Sequence, residues 1–315
     1  MLAWAKRLRS GGVLGLNERN GEVIQRFNAR HLYPLVDDKL RTKRLALAAD
    51  ISVPELYGVM ESQHDIHAWP EIAGQRGDFV IKPAHGTGGD GILVVTGRTS
   101  RRQRLYQLID GNVISEAGIS HHVSNIISGQ YSFVGTRDCA MLEYRVETDP
   151  FFAAVSFQGV PDVRVLVYQG YPVMAMVRLA TRRSRGKANL HQGAVGAGIN
   201  LASGRTLSGV LGNDIVSEHP DTGEPIAGLD IPCWDQFLSL AARCYELTGL
   251  GYLGVDIVLD RHRGPLILEL NARPGLNIQI ANKVGLKKRF ALVDRWTATR
   301  DADEKVAIVR EAFAL

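Results

Sequence analysis

The chain has 315 residues, 45% of them apolar and 22% charged, with a formal net charge of +4. That apolar content suffices for more than one core, and the ordinary charged fraction excludes a globally disordered chain. Basic residues gather at Lys6–Arg9, Arg98–Arg104, Arg182–Lys187 and Lys287–Arg289 without aromatic residues at the spacing of an RNA-binding strand, so a phosphate-rich or acidic substrate explains them better than nucleic acid. Cys139, Cys233 and Cys244 form no CxxC pair, which argues against a zinc site or a disulfide framework and for reduced thiols in the cytoplasm. No apolar run approaches the ~20 residues of a membrane helix.

In chain order, residues 1 to about 36 read as helix and loop, and Asp38 opens a helix through Ala49 with Leu40, Leu45 and Leu47 on a stripe. Leu56–Val59 is a short strand, and Ile66–Gly74 a helix. Asp78-Phe-Val-Ile-Lys82-Pro is a strand, and Ile92–Val95 another. Ile119–Ser128 reads as helical, and Ala140–Glu147 as a strand. Asp162–Arg178 is a hairpin around Gln169-Gly170, made of two alternating runs. Arg182–Gly198 is glycine-rich and polar and reads as an ordered functional loop. Cys233–Thr248 has helical spacing and stops at Gly249. Two strands joined at Arg261–Gly264 follow, and Val306–Phe313 is a terminal helix.

Two segments carry chemistry. Gly86-Thr87-Gly88-Gly89-Asp90-Gly91 matches the GxGxxG dinucleotide pattern, but that pattern must open a helix, and here a β-branched run follows. The segment is therefore strand, glycine loop, strand. Successive glycine N–H groups can cradle an anion without a helix, and Lys82 can place a point charge on a phosphate oxygen. The second segment runs from Gly254-Val-Asp256 through Glu269-Leu-Asn271-Ala-Arg273-Pro-Gly275. Period-two alternation puts Glu269 and Asn271 on one strand face, with Asp256 on the preceding strand. Two carboxylates and an amide oxygen suit Mg²⁺.

These motifs, in this order, resemble those of the ATP-grasp carboxylate–amine ligases over about Asp38–Leu276, and within them the ribosomal-protein glutamate ligases and the alpha-L-glutamate-ligase-like group. The carried motifs are Asp38-Lys39-Leu-Arg-Thr-Lys43, Val80-Ile-Lys82-Pro with its glycine loop, Asp162-Val-Arg164, Ala188-Asn189-Leu-His191-Gln-Gly193 and Glu269–Gly275. The resemblance implies an α/β (α+β) ATP-grasp fold in which two subdomains clamp ATP. It implies an N-terminal extension over 1–37, in place of a full preceding domain, and a grasp domain over 38–300. Within that domain a lid lobe spans about 77–140 and a large lobe about 141–300, and residues 301–315 add a C-terminal helix.

By the same resemblance, Lys39 and Lys82 hold the α- and β-phosphates, and His85, Gly86, Thr87, Gly88, Gly89 and Gly91 close over the β/γ end. Glu143, Tyr144 and Val146 meet adenine, and Glu147 or Asp149 the ribose. Asp256, Glu269 and Asn271 hold one or two Mg²⁺, with Mn²⁺ as a substitute. Arg164, Arg178 and Arg273 clamp carboxylate or phosphate, Asn189 sits near the phosphate or metal, and His191 orients substrate. The implied activity is ATP-dependent amide formation through an acyl phosphate, adding an amino acid to a peptide, protein or small-molecule acceptor. A homodimer or a partner protein is a further expectation. The alternatives are a kinase-like transfer without an amine, an ATP-binding regulator without turnover and a basic nucleic-acid-binding module.

Overall fold

A computed structural model describes residues 2–86, 88–100, 102, 104–132 and 135–314. The chain divides into two compact units, one of Asp38–Lys43 and Pro54–Val146, the other of Met1–Asp37, Arg44–Val53 and Glu147–Leu315. Each unit is built on one sheet whose described ladders are all antiparallel.

The smaller unit holds β1 (Leu56–Met60), β2 (Phe79–Pro83), β3 (Leu93–Ser100), β4 (Leu105–Leu108), β5 (Val113–Ser115) and β6 (Ala140–Glu143), in the order β1-β6-β2-β3-β4-β5. Ser115 caps helix Glu116–Ile127 by accepting from Gly118 N at 3.1 Å. Ile119, Val123, Ile126 and Ile127 recur at helical spacing and are buried with Phe79, Ile81, Tyr106, Ala140 and Leu142. Each valine, leucine, isoleucine or phenylalanine among them contributes about 1.5–3 kcal/mol of transfer free energy. Trp69, Phe79 and Tyr106 pack edge to face in the same core.

Alternation sends the other residues of the central strands to the opposite face. There Met141 packs with Leu40 and Ala84, and Lys82 and Glu143 are buried beside them. The register pairs Val80 with Glu143 and Lys82 with Met141, so Lys82 and Glu143 are diagonal neighbours.

The larger unit holds β7 (Asp162–Tyr168), β8 (Tyr171–Leu179), β9 (Val195–Ile199), β10 (Thr206–Leu211), β11 (Asp214–Val216), β12 (Tyr252–Asp260) and β13 (Gly264–Asn271), in the order β11-β10-β9-β8-β7-β12-β13. Helix Trp234–Thr248 buries Phe237, Leu238, Ala241, Ala242 and Cys244, and Gly249 ends it in the left-handed conformation. The β12–β13 turn is held by Asp260, which accepts from the backbone N–H groups of Glu147, His262 and Arg263.

The N-terminal residues belong to this unit. Buried Asn28 donates to the carbonyls of Tyr252 and Ala272 and accepts from Tyr252 N. Gln279 bonds both backbone groups of Leu14. Neither partner of such a buried bond can be removed cheaply, because the other is left unsatisfied.

Candidate functional site

In the smaller unit three lysines gather around the base of the glycine loop. Lys82 Nζ lies 2.5 Å from Glu143 Oε1, and Lys43 Nζ 2.7 Å from Glu143 Oε2. Lys82, Lys43 and Glu143 are buried, and Lys39 is half-buried. Lys43 also donates to the carbonyl of Pro54. Burial lowers the Lys43 ammonium to about 8, with Lys82 adding to the effect and Glu143 opposing it. Lys39 donates to the carbonyl of Gly86.

The loop is fitted to glycine at both ends. A Cβ on Gly86 would stand 2.4 Å from Pro83 Cγ, and one on Gly91 2.6 Å from Tyr131 Cγ. Gly88, Gly89 and Gly91 have φ of 64°, 79° and 75°, so the loop backbone is left-handed at three places. Thr87 lies outside the described residues. Past β6, Tyr144 N donates to Glu55 O at 2.8 Å and Arg145 pairs with Asp78 at 2.9 Å. Val146 closes this unit.

Glu147 falls in the larger unit, where it meets Arg261 and His262 at 3.2 Å each. The hydrogen bond from His262, ahead of that from Arg261, holds its carboxyl below the usual range. Asp149 caps the short turn Pro150–Phe152 by accepting from Phe151 N.

The larger unit presents a row of charge across β7, β12 and β13. Arg164 stands opposite Asp256, and Asp256 opposite Glu269. Arg164 Nε and Nη2 lie 2.6 Å from Asp256 Oδ1 and Oδ2. One row away, Arg178 stands opposite Asp162 in β7–β8 and takes both its oxygens, at 2.5 and 2.6 Å. Arg178 Nη2 also reaches Asp256 Oδ2 at 2.7 Å. Four charges thus form one alternating network, with both carboxylates buried and both guanidiniums largely covered.

Burial opposes ionisation of Asp256, but Arg164 and Arg178 outweigh it and bring the carboxyl down to about 2. Asp162 has mainly one guanidinium, Arg178, with Arg164 farther off. There burial wins, and the Asp256 charge adds to it, raising the carboxyl to about 6. Burial disfavours the Arg178 charge too, but Asp162 and Asp256 more than restore it, and its pKa rises.

Glu269 is half-buried, and its carboxylate makes no hydrogen bond or ion pair among the described residues. Asn271 Oδ1 accepts from Arg273 N at 2.9 Å. Among the described residues no cluster of three His, Cys, Asp or Glu side chains is arranged for a metal ion. The free hard-oxygen capacity is the Glu269 carboxylate, the second lone pair of Asn271 Oδ1 and that of Asp256 Oδ1, which has a single donor. Such a set fits Mg²⁺ when phosphate oxygens and water complete the shell, and phosphate also offsets the two guanidiniums beside it.

Arg273 Nη2 lies 3.1 Å from both oxygens of Asp37, and its guanidinium covers the Tyr33 ring at 4.8 Å. Arg19 Nη1 donates to Pro274 O at 2.9 Å. Asn189 accepts from His191 N at 3.0 Å and starts a short turn, Leu190–Gln192, on which His191 is exposed. The segment before it is closed by Thr181 and Ser184, each bonding the other's backbone, with Thr181 also donating to Gly193 O.

Sequence reasoning did not select Lys43, Asp162, Asp37 or Asp138. The first two lie inside quoted motifs, and only the strand register shows that Asp162 faces Arg178. Asp37 and Asp138 had no signal beyond a carboxylate in a loop.

The class of the protein is set by its sequence, most of which matches a model of ATP-grasp proteins. The chain belongs to the sugar-transfer associated ATP-grasp family, whose sequence model matches residues 18–295. It is similar to a probable alpha-L-glutamate ligase of Serratia proteamaculans, at 24% identity over 262 residues, covering 81% of this chain and 64% of the relative. A protein of the same description from Pseudomonas putida is 22% identical over the same extents. The chain thus spans less than two thirds of the curated relatives it matches. Among solved structures, the D-alanyl-alanine synthetase A of Vibrio cholerae O1 biovar eltor aligns with a TM-score of 0.48 and 12% identity, over 90% of this chain and 66% of that one. No helix among the described residues is long and apolar enough to cross a membrane.

Proposed function

We propose that this protein is an ATP-dependent carboxylate–amine ligase, adding an amino acid of the glutamate type to a peptide, protein or small-molecule acceptor. The observation that carries the reading is the row Arg164–Asp256–Glu269, which sets two guanidiniums beside a metal-type oxygen set on one sheet face. Amide formation from a carboxylate needs both, because a carboxylate must approach a polyanion before it can be activated.

In this reading Lys39 and Lys82 bind the α- and β-phosphates. Glu143 anchors Lys82 and Lys43, and the chain from Tyr144 to Val146 meets adenine. The residues from His85 to Gly91 cover the β/γ end and exclude water from the activated acyl group. A carboxylate oxygen of the substrate attacks the γ-phosphorus and ADP leaves. The amine nitrogen then attacks the acyl carbon, phosphate departs with the acyl oxygen, and the proton lost from nitrogen goes to phosphate or solvent. Arg164 and Arg178 steady the charge on the transferring group. Arg273 receives the substrate carboxylate by exchanging it for Asp37. Asn189 and His191 line the approach. Glu269, Asn271 and Asp256 would hold Mg²⁺, which would supply charge neutralisation and alignment of the phosphates.

The use of ATP, a nucleotide of the cell interior, favours a cytoplasmic location. The test is ADP release with Mg²⁺ and ATP against pooled amino acids, with and without acceptor peptides, followed by product mass. Substrate-dependent release with an amide product supports the reading. Tight ATP binding without release in any pool supports the regulatory alternative.

A further inference from the structure

At the mouth of the glycine loop a buried carboxylate grips one histidine at two points. The Asp138 side chain has no exposed surface, whereas the ring of His85 is 46% exposed. Asp138 Oδ2 accepts from the backbone N–H of His85 at 3.0 Å, and Oδ1 accepts from Cys139 N at 2.8 Å. The same Oδ1 lies 2.8 Å from His85 Nδ1. A carboxylate only accepts, so Nδ1 is the donor and Nε2 is turned outward.

The flanking backbone is tied down as well. Ala84 N donates to Cys139 O at 3.1 Å, and Lys39 N to Ala84 O at 3.0 Å. Residues 84 and 85 are thus a fixed step from which the loop begins. The partner of Nε2 in charge is Asp38, whose Oδ2 stands 3.8 Å away, beyond hydrogen-bond distance. The charged groups around the ring are Asp138 before β6, Asp38 before helix Lys39–Ala48, and the Lys39 ammonium on the carbonyl of the next residue. A fully buried carboxylate needs a charged or strongly polar partner, and among the described residues the His85 ring is the side chain that meets Asp138.

We propose that Asp138 is a positioning residue that fixes His85 so that Nε2 donates to the terminal phosphate of the bound nucleoside triphosphate. The pair thereby makes the smaller unit prefer a triphosphate to a diphosphate. This rests on the nucleotide reading above, and it adds a residue and a selectivity that the reading does not contain. A ring carrying a proton on each nitrogen donates to Asp138 on one side and to a phosphate oxygen on the other. An aligned donor on a charged oxygen discriminates because the diphosphate offers that donor nothing. A tie that merely held the loop would serve both nucleotides alike.

The test is calorimetric titration of the full chain with Mg²⁺, using ADP and the non-hydrolysable triphosphate AMPPNP. The proteins compared are native, His85→Gln, Asp138→Asn and the double variant. His85→Gln changes a half-exposed ring, so it keeps the proposal testable if the buried Asp138→Asn fails to fold. The expected result is a loss of about tenfold in AMPPNP affinity in each single variant, with ADP affinity within about twofold of native. In the double variant the loss is no larger than in His85→Gln alone, since a positioning residue acts only through the residue it positions. Equal losses for both nucleotides, or no loss for AMPPNP, overturn the proposal and leave the nucleotide reading standing. A native protein that binds neither nucleotide overturns both.

Discussion

Arg164 faces Asp256 across the β7–β12 ladder and lies 2.6 Å from both of its carboxylate oxygens, so the acid proposed to hold a metal is already paired with a guanidinium. In the proposed reading, Asp256, Glu269 and Asn271 would hold Mg²⁺, which would supply charge neutralisation beside Arg164 and Arg178. The network pairs two guanidiniums with two carboxylates; Asp162 and Asp256 are buried, and the Arg164 and Arg178 side chains are 11% exposed.

Arg164→Met leaves Asp256 with Arg178 alone. Removing one partner of a buried ion pair costs about 3–5 kcal/mol, and this variant is expected at the lower end of that range in urea unfolding at pH 7. Arg164→Lys restores the charge but not the two-point fork. It is expected to recover less than half of the lost stability and none of the turnover.

Asp162 gives the network a pH dependence. Its carboxyl is raised by burial from 3.8 to about 6, so its contribution to stability is complete below about pH 4 and is lost as pH rises through 6. Asp256, brought down to about 2, does not titrate in that window. The stability of the native protein relative to Asp162→Asn is therefore expected to fall by on the order of 3 kcal/mol between pH 4 and 7. Urea midpoints of both proteins across that range check it, and parallel curves would contradict it.

Two glycines of one loop are expected to differ sharply. Gly88 has φ 64° with nothing within 4 Å of an added Cβ, so Gly88→Ala costs only backbone strain, about 1–2 kcal/mol. Gly91 has φ 75° and the Tyr131 ring 2.6 Å from the same atom, so Gly91→Ala adds a clash to the strain. Thermal unfolding should place Gly91→Ala well below Gly88→Ala, and Tyr131→Ala should restore part of the difference.

Lys82→Ala is expected to abolish ATP turnover while the fold survives, because Glu143 keeps Lys43 as its counter-ion. Unchanged circular dichroism with turnover reduced by about 10²-fold or more is the expected pair of observations.

The parts of this molecule that alternate cleanly were legible in the sequence. β7, β8, β12 and β13 carry unbroken apolar rows, and Glu269 and Asn271 follow from period two alone. β9 and β10 were not legible, since Gly196, Gly198 and Gly209 interrupt the pattern that marks a strand. The structure supplies the reason for one of them: a Cβ on Gly198 would stand 2.6 Å from Ala281 O, so this strand is glycine-rich to let the helix Ile278–Asn282 approach. Pairings were less legible than elements. That Arg178 bridges Asp162 and Asp256 depends on the β7–β8 and β7–β12 registers, and that Asp138 meets His85 depends on two loops separated by more than fifty residues in the chain.

The most direct test of the central claim is ADP release with Mg²⁺ and ATP by the native protein and by Glu269→Ala, across pooled amino acids and acceptor peptides. The account predicts release by the native protein that depends on substrate and yields an amide by mass, and none by a Glu269→Ala variant of native stability. Equal release by the two proteins would contradict the assignment of the site on the β12–β13 hairpin.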